Sequence, residues 1–180
     1  KHSEVGWFYP SASSTEIDRY VIYNYQEQVW YYGELNRTAW LDSNIEEYPQ
    51  AAGSNYLFEH ETGFNDDGAE MTNVFIESAD FDIEDGERFS FLRKVIPDVK
   101  FLNNDAGSSV NIITKTRDFP GATLSSGQTS TITPSTTQSH IRARGRQAVV
   151  RLASNDGDSG NLGVGWRLGA TRYEIRADGR

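Results

Sequence analysis

Over residues 20–42 large apolar side chains recur at every second position in three short runs, broken by turns at 26–28 and 33–36. Tyr20, Ile22 and Asn24 fall on one face of an extended segment, and Val21, Tyr23 and Tyr25 on the other. Trp30 and Tyr32 likewise oppose Val29 and Tyr31. β-Branched and aromatic residues at period two, punctuated by turns, predict an antiparallel meander. The stretch holds seven of the 22 aromatic residues, large on both faces, so both faces are expected to be covered by neighbours.

The same alternation runs along the rest of the chain. Val5, Trp7, Phe8 and Tyr9 form a short strand stopped by Pro10. Residues 55–61 and 71–81 read as further strands, the second with Val74, Ile76 and Ala79 inward. After an acidic break at 83–86 the strands lengthen: 88–101, interrupted by Pro97, then 110–116, 141–154 and 164–176. Residues 122–139 hold eleven Ser or Thr and no charge, which predicts a long polar loop or at most an edge strand that buries little. No helix is required, and the chain is expected to be all-β. The later strands suggest a compact β-sandwich.

Charge divides the chain at the same break. Residues 1–87 carry 19 acids against 3 bases, whereas residues 88–180 carry 7 acids against 14 bases, for a net charge of −9. Two regions are therefore expected, an aromatic and acidic one over 1–85 and a basic, sandwich-like one over 86–180. The two charges mark either separately solvated surfaces or halves that face each other, within a chain or between copies. Nucleic acid fits the basic half less well, because that half has few aromatics and no Lys/Arg run. A chain that opens on Lys1 reads as a processed product or part of a longer protein.

Candidate chemistry is sparse. The absence of cysteine excludes thiol catalysis, a disulfide scaffold and a cysteine zinc site. No apolar run reaches the length of a membrane span. Asp66-Asp67-Gly68 and Asp156-Gly157-Asp158 offer oxygen ligands to calcium, but Arg167 stands where a calcium-loop acid would follow Asp156, and such turns ordinarily just join strands. His60 lies between Glu59 and Glu61, yet in a strand it points away from both. Carboxylate pairs for glycoside hydrolysis are conceivable only from the abundance of acids. Asn36-Arg37-Thr38 matches a glycosylation sequon with nothing beside it to indicate secretion. Arg142, Arg144 and Arg146 alternate along one predicted strand with His140. That ridge suits carboxylates or phosphates, or else guards an edge, and the acid excess elsewhere favours carboxylates. Trp7, Trp30, Trp40 and Trp166 are candidates for stacking on sugar rings, although aromatics in strands are more often core.

Several stretches together resemble a known family. Residues 17–25, Val29-Trp30-Tyr31 and 37–42 are similar to a stretch repeated in tail proteins of short-tailed phages. So are 57–63 and 75–82, then Arg144-Gly145-Arg146-Gln147, 165–169 and the closing 176–180. The chain resembles the C-terminal portion of tail hub or nozzle proteins, also called packaged-DNA stabilisation proteins. The resemblance implies a non-enzymatic virion component in the phage tail, below the portal and its adaptor, forming a sixfold homo-oligomeric ring around the DNA exit channel. It implies no cofactor and no sequence-specific contact with the viral DNA passing through. It also implies propeller-blade-like meanders in residues 1–85, enough for at most two blades. Ring closure would be head-to-tail, with Arg142, Arg144, Arg146, Glu46 and Glu47 as contact candidates. The alternative expectation is a carbohydrate- or receptor-binding β-module of a phage tail.

Overall fold

A computed structural model describes residues 2–43, 45–82, 86–102, 107–156 and 163–179. Among these, every regular element is a β-strand and every strand pair is antiparallel, as an all-β chain requires. The chain divides into two compact units, Lys1–Gly63 and Phe64–Arg180.

In the first unit β1 (Glu4–Tyr9), β2 (Arg19–Asn24) and β3 (Val29–Glu34) make a sheet in that order; of the three segments expected to pair as a meander over 20–42, the first two are β2 and β3 of this sheet, while the third pairs elsewhere. Asn24 Oδ1 accepts the backbone N–H groups of Gln26 and Glu27, which turns the chain from β2 into β3. Ser11 donates its backbone N–H and its hydroxyl to Asp18 at 2.6 and 2.7 Å, closing the loop before β2. Those donors hold the Asp18 carboxyl below its usual range. At Gly33 an added side-chain carbon would stand 2.5 Å from the Tyr20 hydroxyl, so only glycine lets that ring lie across the strand. A second sheet follows, of β4 (Ala39–Leu41), β5 (Gln50–Gly53) and β6 (Tyr56–Glu59). Phe8 of the first sheet meets Trp40 of the second, ring centroids 5.3 Å apart.

The second unit opens on the hairpin of β7 (Asn65–Asp66) and β8 (Ala69–Glu70), followed by the short β9 (Phe75–Glu77) and β10 (Phe81–Asp82). The longer strands are β11 (Ser90–Ile96), β12 (Val99–Phe101), β13 (Val110–Arg117), β14 (Gln128–Ile132), β15 (Ser139–Gly145) and β16 (Gln147–Ser154). β17 (Trp166–Leu168) and β18 (Arg172–Ala177) complete the order. One sheet runs β10-β16-β13-β14 with β9 also on β16, another runs β15-β11-β18, and β12 pairs β17. Along β13, Val110, Ile112, Thr114 and Thr116 are buried and the residues between them are not. That face meets Leu92 and Val95 of β11 and Ile141 of β15 in a single core. Each such aliphatic side chain contributes about 1.5–3 kcal/mol by leaving water.

Several expectations change. The division falls after Gly63, ahead of the charge break, because β9 and β10 are strands of the β16 sheet. The run 71–81 is two short strands, and Val74 and Ile76, expected inward, are 40% and 51% exposed. The residue of this run packed on the core is Phe81, while Ile76 stands opposite the core residue Leu152 and Phe75 lies under the Arg151 guanidinium at 3.6 Å. The single strand expected over 141–154 is β15 and β16, in different sheets, joined through Arg146. The polar segment contains the edge strand β14, which does bury alternate positions, Ser130 and Ile132.

Candidate interaction surfaces

Cross-strand register builds a broad aromatic face on the first unit. Val5, Tyr23 and Trp30 form one row, and Trp7, Val21 and Tyr32 the next. Directly paired antiparallel residues project to the same side, so all six share a face with Tyr9. Trp30 is 61% and Tyr32 75% exposed. The expectation that both faces are covered fails here: the opposite face, with Phe8, meets Trp40, while this one faces solvent. An exposed apolar area of this kind marks an interaction surface.

The rings on this face are turned toward one another. Trp30 stacks on Tyr23 with centroids 4.5 Å apart and on Trp7 at 5.8 Å, the planes inclined by 28° and 25°. A sugar-binding platform needs a ring face open to water; stacking occupies faces of Trp7, Tyr23 and Trp30, while Tyr32 has no ring partner among the described residues. Trp40 is likewise engaged by Phe8 and by His60, whose ring lies 4.8 Å away. Trp166 packs against the core of the second unit and donates its indole N–H to Ser154 Oγ at 3.0 Å.

Arg37, met in the sequence only within a sequon and a resembling stretch, is buried in the first unit. Its guanidinium lies 3.6 Å from the centre of the Phe58 ring, donates Nε–H to His60 Nε2 at 3.3 Å, and reaches the Asn36 carbonyl at 2.9 Å. His60 is thus a packing partner of Trp40 and Arg37. Burial and a hydrogen bond to Glu4 hold the Tyr31 phenol protonated well above its usual range.

In the second unit the acids after Gly63 meet bases from the later strands. Glu77 pairs with Lys115 at 3.5 Å and Arg151 at 3.8 Å, Asp80 pairs with Arg117, and Asp82 accepts from Gln147. Part of the charge division is therefore neutralised inside this unit.

The outer face of β15-β11-β18 is different. Alternation puts His140, Arg142 and Arg144 outward, and the register sets Phe91 beside Arg144 and Arg176, Lys94 beside His140 and Glu174, and Ile96 beside Arg172. Glu174 alone receives Arg176 at 3.0 Å, Lys94 at 3.4 Å and Arg93 at 3.6 Å, which holds its carboxyl below the usual range, Arg176 contributing most. Arg144 pairs with Asp178, an acid of its own half. Arg142 and Arg172 are exposed and have no carboxylate partner among the described residues. Arg146 stands apart from this ridge. Strand β15 ends at Gly145, and Arg146 is half-buried at the corner with its guanidinium 4.8 Å from the centre of the Phe89 ring. Glu46 and Glu47 lie exposed in the loop between β4 and β5, beside Ile45, which is 80% exposed.

An open cleft of about 240 Å³ on the second unit is lined by Ile76, Phe81, Leu152, Leu168, Thr171 and Tyr173. Burial pushes the Tyr173 phenol up to about 12. Asp66, Asp67 and Gly68 serve the tight β7–β8 turn, with Gly68 N–H donating to Asn65 Oδ1 at 2.9 Å. Asp156 accepts from the Asn73 backbone, and Gly157 and Asp158 lie outside the described residues. Among the described residues no group of three or more His, Asp or Glu side chains could hold a metal ion, and no helix is long and apolar enough to cross a membrane. No protein-family model and no curated protein matches the chain.

Proposed function

We propose that this chain is a structural virion subunit of a short-tailed phage, a tail hub or nozzle component. The resemblance of stretches between residues 17 and 82 and between 144 and 180 supports the family. The observation that carries an assembly role is the exposed β1-β2-β3 face, where Trp7, Tyr23 and Trp30 stack into a preorganised apolar surface. In this reading the subunits close a homo-oligomeric ring, six in the family, against portal, adaptor and other tail proteins. Viral DNA passes through without base-specific contact, and the net charge of −9 keeps phosphates from adhering to the wall. The carbohydrate-binding reading draws on the exposure of Trp30 and Tyr32 and is weakened by the stacking of Trp30 between Tyr23 and Trp7.

Sedimentation and negative-stain imaging of the purified chain test the proposal. The parent is expected to form closed rings, and Trp30→Ser with Tyr32→Ser to shift it toward monomer with its melting temperature retained. A parent that stays monomeric at every concentration overturns the ring, and glycan-array binding lost in the same variant would turn the surface into a sugar site.

A further inference from the structure

The outer face of β15-β11-β18 gathers six cations, Arg93, Lys94, Arg142, Arg144, Arg172 and Arg176, around two carboxylates, Glu174 and Asp178. A merely solvated strand face has no need to crowd three cations onto one acid, and like charges this close raise the energy of the isolated face. Anions brought by a partner relieve that cost. Five of the cations are arginines, whose planar forks bind carboxylates two-pronged and lose less hydration than lysine on docking.

The first unit supplies the complementary surface. Residues 1–63 hold ten acids against three bases. Of those bases, Arg19 is paired with Glu34 and Arg37 is buried. Glu16, Glu27, Asp42, Glu46 and Glu59 are exposed with no basic partner among the described residues. Beside Glu46 the exposed Ile45 adds an apolar anchor, the arrangement of a docking knob with a charged rim. A polyphosphate is the weaker occupant, because the chain's net charge of −9 repels it at every distance beyond contact.

We propose that the β15-β11-β18 face docks the acidic surface around residues 45–47 on a second copy of the chain. This deepens the assembly reading and rests on it. Because the two surfaces differ, the contact is head-to-tail, and each copy keeps one surface of each kind free for the next.

The test is a charge swap in the full chain. Arg142→Glu with Arg172→Glu reverses the basic face, and Glu46→Lys with Glu47→Lys reverses the acidic one. Each variant alone is expected to self-associate at least about tenfold more weakly than the parent by sedimentation. An equimolar mixture of the two is expected to regain association, since each then meets its complement. Retained melting temperatures show that the variants fold. Variants that associate like the parent overturn the face pairing while leaving assembly intact, as does a mixture that regains nothing. A parent monomeric at all concentrations overturns both. If the parent retards duplex DNA and the arginine variant does not, with self-association unchanged, the face is a phosphate-binding surface and the proposal falls.

Discussion

Asp82 Oδ1 accepts a 2.7 Å hydrogen bond from Gln147 Nε2, across 65 residues of chain. With β9 and β10 paired to β16, it makes residues 64–82 an integral part of the second unit. A fragment of residues 64–180 should therefore fold alone and melt cooperatively. A fragment cut at the charge break, 86–180, leaves one side of β16 unpaired beside buried Ala148 and Leu152, and should melt lower or aggregate. Circular dichroism melts of the two fragments decide the matter. Equal melting temperatures would return the boundary to the charge break.

The corner at Gly145 leaves no room for a side chain. A carbon added there would stand 2.7 Å from Thr116 Cβ and 2.9 Å from the Arg117 carbonyl oxygen. Backbone cannot swing aside as a flexible side chain can, so Gly145→Ala should cost about 1–3 kcal/mol of stability. Urea denaturation reads this as a lower midpoint at an unchanged slope. A midpoint equal to the parent's would mean that the corner relaxes freely.

Tyr173 should make the second unit sensitive to alkali. Its phenol titrates at about 12 when folded, against 10 for an ordinary tyrosine. The folded state thus holds the proton more tightly, and the stabilisation is complete below pH 10 and lost as the pH rises toward 12. Tyr173→Phe should flatten the fall in melting temperature across that window. In the 64–180 fragment Tyr173 is the only tyrosine, so tyrosinate absorbance follows it directly. Titration at the ordinary value in the folded fragment would remove the effect.

What the sequence disclosed depended on how local the cause was. The β2–β3 hairpin within 20–42, the stop at Pro10, the interruption at Pro97 and the alternation of Val110, Ile112 and Thr114 all follow from neighbouring residues, and each is present, whereas the third segment of the expected meander pairs with β5 in another sheet. Residues 141–154 alternate almost without a break, and nothing local reveals that Gly145 marks a crossing between sheets. The clash that forbids a side chain there comes from β13, some thirty positions earlier. Glu77 and Asp80 looked like part of an acidic surface until long-range pairing brought Lys115, Arg151 and Arg117 to them. The ridge at Arg142 and Arg144 was readable from period two, whereas its focus on Glu174 depends on the register of β18 against β11. Arg37 could not be foreseen, since burial of a lone arginine depends on the Phe58 ring across the sheet.

The two units also differ in how far apart in sequence their pairs lie. In the first, β1 pairs β2, β2 pairs β3, β4 pairs β5 and β5 pairs β6, so each sheet can close soon after its residues emerge during synthesis. In the second, β9 waits for β16, and β11 waits for β18, the last strand described. Long-range pairings of this kind slow folding, because a large loop must close before any contact rewards it. On the ribosome the first unit therefore forms its sheets, aromatic face included, while the second is still unpaired chain. Many copies translated close together would meet through that face early, which makes the order of folding a hazard for aggregation as well as a route to assembly.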